Sequence, residues 1–221
     1  MKELGAISKF LGIDVKQDLN SGVTIISQKD YLRNILSEYN MLDCKTLSLP
    51  IDKNFNFHIL KRENSESVFI ENKCRRLIGR LMYAAMGTRP DICAVVNILS
   101  RYQNSASTLL YKILLNILRY LKGTLDLCLI YYRDSNVDEI IGYVDSDWGG
   151  CNDLTIKMAQ MATGNSRVKH LEIKLSFVKE KLDKNIIELR YINTSDQLAD
   201  ILTKALGGTL FRKLRDRLFS K

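Results

Sequence analysis

Two carboxylates, Asp145 and Asp147, close the apolar run of "GYVDSDWGG" just before Trp148 and two glycines. Carboxylate oxygens are hard ligands, and acids placed where a strand runs out can hold a divalent ion. One or two acids rarely make a site, so the remaining ligands must come from elsewhere in the chain. Spacing alone does not say which of the pair would bind, and Trp148 reads as a packing residue rather than a base-stacking one. A second chemistry is cationic. Lys112, Arg119 and Lys122 fall near one face of a helical stretch, where they could follow a phosphate backbone or simply be solvated surface charges. Arg167, Lys169 and His170 form a basic cluster in "RVKH", which by composition alone is a solvated helix start. Gly12 in "FLGI" is a lone glycine in a strand-like run, the mark of a bulge or of a close backbone contact.

These side chains need elements to hold them. "KFLGIDVKQDLNSGVTIIS" alternates around a polar centre with an Asn-Ser-Gly tip and predicts a β-hairpin. Ser27 with Asp30 suggests a capping box ahead of a helix carrying Leu32, Ile35 and Leu36 and running to about Asn40. From Cys44 to Lys73 periodicity fails and Pro50 interrupts the chain, which reads as a linker. Three helices follow: "CRRLIGRLMYAAM" from about Lys73, one opened by Pro90, and "STLLYKILLNILRYLKG", capped by Ser107 and ended by Gly123. "LCLIYYR", "EIIGYVD" and "IIELRYI" read as strands. "RVKHLEIKLSFVKEKLDK", "SDQLADILTKAL" and "TLFRKLRDRLF" read as helices.

The 221 residues are 46% hydrophobic and 26% charged, which is ordinary for a folded chain rather than a disordered one. Lys and Arg outnumber Asp and Glu by 33 to 25, giving +8, and the pI is near 9.2. That balance favours polyanions, although a merely basic protein would share it. Five scattered cysteines without a C-x-x-C pair signal neither a zinc module nor a disulfide framework. The most apolar segment contains Lys112, Asn116 and Arg119 and is too short to span a membrane, and "MKELGAISKF" has no signal-peptide core. An intracellular chain, cytoplasmic or nuclear, with no membrane partner is expected.

Several segments together resemble the C-terminal part of the copia-type retrotransposon Pol polyprotein. "FLGIDV" with "ISQKDYLRNIL" resembles the primer-grip hairpin and helix that end the reverse transcriptase palm. "LIGRLMYA", "TRPDI", "LSRY" and "ILRYLKGT" resemble the thumb and connection. "GYVDSDWGG" resembles the first ribonuclease H strand, and "RVKHLEIKLSFVKEK" and "IELRYINTSDQLADILTK" its last helices and strand. The resemblance implies a mixed α/β (α+β) fold. Its parts would be the palm end at 1–50, a linker at 51–72, a helical thumb and connection at 73–124, and an incomplete ribonuclease H-like domain at 125–221. It also implies that Met1 is an internal methionine, with the polymerase aspartates upstream of it.

Ribonuclease H-type chemistry uses two divalent ions to activate water and stabilise the leaving oxygen, and several acids must hold both. By resemblance Asp145, or Asp147 beside it, matches the first family acid and Asp200 the last. The segment that should carry the middle Glu and Asp is missing, because "DLTIKMAQMATGNSRVKH" passes directly to the late helix. A deletion near 155–165 is therefore expected, with Asp145 and Asp200 as catalytic and metal-ligating remnants and magnesium implied by the family but not held productively. The resemblance places Gly12, Lys112, Arg119, Lys122, Arg167, Lys169 and His170 toward nucleic acid. Weak, non-specific binding to RNA–DNA hybrid or other nucleic acid is expected, with self-association through exposed strand edges. The family usually has Tyr at Cys74, Pro at Ala106, His at Leu110 and a basic pair at Leu115–Asn116.

Overall fold

The computed structural model describes residues 5–61, 65–133, 140–145 and 169–219, without the side chains of 169–175. Among these the fold is mixed α/β, with one four-stranded antiparallel sheet and seven α-helices. Strand β1 (Lys9–Phe10) pairs with β2 (Ile13–Asp18) so that Phe10 faces Ile13. Only Leu11 and Gly12 remain for the turn, both at positive φ, 48° and 78°. Such a two-residue primed turn carries the twist of its flanking strands. Gly12 is thus no bulge, whereas the close contact expected of it is present. Tyr83 donates its hydroxyl proton to the Leu11 carbonyl, and a Cβ on Gly12 would stand 3.3 Å from that oxygen.

The expected hairpin joins β2 to β3 (Val23–Ser27), with Asp18 opposite Val23. Asp18 braces its tip, accepting from the Asn20 amide at 2.9 Å and the Ser21 hydroxyl at 2.7 Å. "LCLIYYR" supplies β4 (Leu129–Tyr132), antiparallel to β3, and the order is β1-β2-β3-β4. No side chain of the four strands is fully buried, so the core lies elsewhere.

That core is helical. Helix α1 (Lys29–Glu38) buries Leu32, Ile35 and Leu36. Ser27 does not cap it, because it is committed to the ladder opposite Asp14; Gln28 stands at the cap position and its side chain makes no capping bond. The helix stops at Asn40, whose φ of 54° takes the left-handed conformation. Its amide bonds the Ser37 carbonyl while Met41 bonds Leu36, the paired closure typical of a Schellman end. Helix α2 (Val68–Gly87) begins at Val68 rather than near Lys73, because Ser67 caps it by accepting from the Ile70 amide. Pro90 opens a short 3-10 turn, Pro90–Ile92, that leads into α3 (Cys93–Ser100). Helix α4 (Thr108–Lys122) is capped by Ser107, which accepts from Leu110. Gly123 ends it at φ −72°; the missing Cβ leaves room for Thr46, which would otherwise lie 3.1 Å away.

The stretch expected as a linker packs on these helices, with Leu49, Ile51, Phe55 and Phe57 against the core and Leu60 buried in it. Ala106, where the family has proline, is buried and donates its amide to Ser65 Oγ at 3.0 Å, a bond proline could not make. Residues beyond the long helix α5 (Lys169–Asp183) contribute α6 (Asp200–Thr203) and α7 (Gly208–Leu218). Ile201, Leu206, Phe211 and Leu214 belong to the same apolar cluster as α1 to α4. The chain accordingly divides into one unit of 1–142 with 198–221 and a second of 143–197.

In the second unit α5 ends at Asn185, again left-handed at φ 52°, with Asn185 bonded to Leu182 and Ile186 to Lys181. Two expected strands are corrected here: neither 140–145 nor 186–192 forms one. A strand exists only by pairing, and neither segment joins a ladder among the described residues. Ile140 and Ile141 are exposed accordingly. No helix of the described residues is long and apolar enough to cross a membrane.

Candidate nucleic-acid interface

The cationic face of α4 is built by its register. Ile113, Leu114, Ile117, Leu118 and Leu121 point into the core, which leaves Lys112 exposed and Arg119 and Lys122 half-buried at the margin. The last two bind the loop after α1. Lys122 Nζ donates to the Cys44 carbonyl at 2.6 Å. Arg119 Nε donates to the Lys45 carbonyl at 2.7 Å, and its Nη1 to Asn116 at 3.3 Å. All these acceptors are neutral, and among the described residues no carboxylate pairs with either cation. Lys45 adds a further exposed charge beside them. The face can therefore hold a positive potential while serving as a clamp, and cations in a last turn also suit the helix dipole.

Other expected site residues are not gathered there. Gly12 lies in the β1–β2 turn. Lys169 and His170 open α5 in the second unit, their side chains outside the described residues, as are Arg167 and Asp147 altogether. Asp145 is half-buried in the second unit. Asp200 belongs to the first unit, 2% exposed in the opening turn of α6, where Lys204 Nζ meets its carboxylate at 3.2 Å. Among the described residues no group of three or more His, Cys, Asp or Glu could hold a metal ion. These residues do not fit a two-metal site.

The strongest electrostatic construction was not singled out by sequence reading. Arg89 and Asp91, both fully buried, form a two-pronged pair at 2.9 and 2.7 Å. Arg89 also donates to the carbonyl and hydroxyl of Thr124, at 3.0 and 2.6 Å. Tyr120 donates its hydroxyl proton to Asp91 at 2.5 Å. Burial and the adjacent Asp91 push that phenol well above its usual range. Beside this cluster Thr88 donates to Gln28 at 3.0 Å, and Gly87 leaves room for the Gln28 amide, which would touch a Cβ at 2.4 Å. "TRPDI" is thus a buried fastening between the α2–α3 corner and α4. The available signal was two charged residues flanking Pro90 between apolar runs, a pattern equally at home on a surface.

Residues 1–53, the hairpins, α1 and the loop after it, match the family model of reverse transcriptase (RNA-dependent DNA polymerase). An uncharacterized mitochondrial protein of Arabidopsis thaliana is 34% identical over 151 residues, 68% of this chain and 60% of that protein. The retrovirus-related Pol polyprotein from transposon TNT 1-94 of Nicotiana tabacum is 30% identical over 158 residues, 68% of this chain but 11% of the polyprotein. That from transposon RE2 of Arabidopsis thaliana is 23% identical over 289 residues, 99% of this chain and 19% of the polyprotein. The chain is a relative of the copia-type retrotransposon Pol polyproteins and carries a reverse transcriptase-like segment. It spans less than two thirds of each of these relatives. The RE2 match runs over more positions than the 221 of this chain, so that relative holds segments with no counterpart here. No solved structure matches the chain.

Proposed function

We propose that the chain is a copia-type Pol fragment, from the end of the reverse transcriptase into an incomplete ribonuclease H-like domain, that binds nucleic acid through charge and does not cut it. The observation that carries this reading is the α4 face, where Arg119 and Lys122 are fixed by backbone carbonyls and pair with no acid among the described residues. Rigidly held cations contact phosphates with little loss of side-chain freedom and without base readout. The dead-enzyme half is supported by the extra length of the RE2 match, consistent with a missing internal segment, and by the burial of Asp200.

The test is incubation of the full chain with a labelled RNA–DNA hybrid and magnesium or manganese, with product length as readout. Intact RNA is expected; cleavage lost on Asp145→Asn would overturn inactivity. A second reading is favoured by the same RE2 comparison: an active Pol whose gene model omits a segment. A transcript read across 155–165 with an in-frame insert carrying Glu and Asp would establish it. A seamless junction leaves the inactive fragment, including one adopted by its host as a nucleic-acid binder.

A further inference from the structure

We propose that residues 198–219 are a strap that completes the helical domain, and that Asp200 serves this strap rather than a metal. The idea goes beyond the nucleic-acid reading and does not need it. Family resemblance gives this segment to the end of a ribonuclease H domain, yet its apolar side chains are spent on the helices of the first unit. Ala199, Ile201, Leu206, Phe211, Leu214 and Phe219 are all buried. Helix α6 packs on α3 and on the Pro90–Ile92 turn. The Phe211 ring meets Tyr120 edge-on at 5.8 Å, and the Arg89 guanidinium lies 5.8 Å from the Phe219 ring and 5.6 Å from Tyr120. The strap therefore covers the Arg89–Asp91–Tyr120 cluster, whose ion pair relies on exclusion of water.

Between α6 and α7 the backbone presses on the loop after α1. A Cβ at Gly207 would stand 3.2 Å from the Lys53 side chain, and one at Gly208 3.3 Å from Leu49. Asp200 shares this burial. Its carboxylate is paired with Lys204 one turn on, the residue that ends α6, and an acid in a first turn suits the helix dipole. Asp200 is 2% exposed on a helix packed against α3 and the Pro90–Ile92 turn, a setting that serves packing rather than a hydrated ion.

Hydrogen exchange on the full chain, in EDTA and then in magnesium, tests both halves. In the wild type, amides of α4 and α7 should be protected to the same degree, as parts of one cooperative unit. Leu214→Ala, which empties a fully buried site, should lower protection in both helices on the order of thirty-fold or more. Phe177→Ala, on the exposed face of α5, should change neither. Asp200→Asn should lower α6 protection in EDTA, and magnesium should add nothing to the wild type. The strap is overturned if α7 exchanges far faster than α4 in the wild type, or if Leu214→Ala loosens α7 and leaves α4 unchanged. Magnesium-dependent protection of α6 that Asp200→Asn removes would return Asp200 to metal chemistry.

Discussion

Arg89 shows how much one residue can commit. Its guanidinium is lowered by burial and raised more by Asp91 and Tyr120, so it remains charged in the interior. A buried pair adds little over an apolar isostere, but breaking it leaves an uncompensated charge. Asp91→Asn should therefore destabilise by about 3 kcal/mol or more, read from urea unfolding; a loss below about 1 kcal/mol, the size of a surface pair, would mean the pair is not buried in solution. Cys74, buried in α2, supplies a pH dependence. Burial pushes its thiol up to about 11 from 9.0, and Tyr120 is raised in the same sense. Each stays protonated in the folded chain while its unfolded form ionises first, so the stability from Cys74 is complete below about pH 9 and declines as pH rises through 11, and Tyr120 adds a loss in the same direction at higher pH. The urea midpoint should fall over that window, and less steeply in Cys74→Ala. Equal slopes would exclude the thiol as a cause.

Elements were legible where local chemistry decides them. Ser107 and Gly123 bracket α4, Pro90 opens its turn, and the Asn-Ser-Gly tip closes a hairpin, because caps and turns act within a few residues. Ser27 misled because a strand ladder claimed it first, a non-local competition invisible in a capping pattern. Residues 140–145, "IIGYVD", have strand composition but form no strand, since pairing depends on residues far away. The Arg89 cluster escaped for the same reason: its partners Tyr120 and Thr124 lie a helix away. The contrast can be measured. Ser107→Ala should cost about 1 kcal/mol, whereas Ser27→Ala should stay within about 0.5 kcal/mol, as for an uninvolved site. Leu11, left-handed in a turn that favours Asn before Gly, bears strain, so Leu11→Asn should raise stability by up to about 1 kcal/mol. An unchanged or lowered melting temperature for Leu11→Asn would argue against that turn.

At the scale of the molecule, the +8 charge and the α4 face act together. If the chain holds nucleic acid through phosphates alone, affinity must track counterion release and ignore base sequence. The direct measurement is fluorescence anisotropy of the full chain on two unrelated single strands of equal length, at 50 and 200 mM salt. With about three phosphates contacted, affinity should fall on the order of twenty-fold for both strands alike, and less for Arg119→Gln with Lys122→Gln. Binding that is indifferent to salt, or absent at 50 mM, would contradict a charge-held nucleic-acid interface.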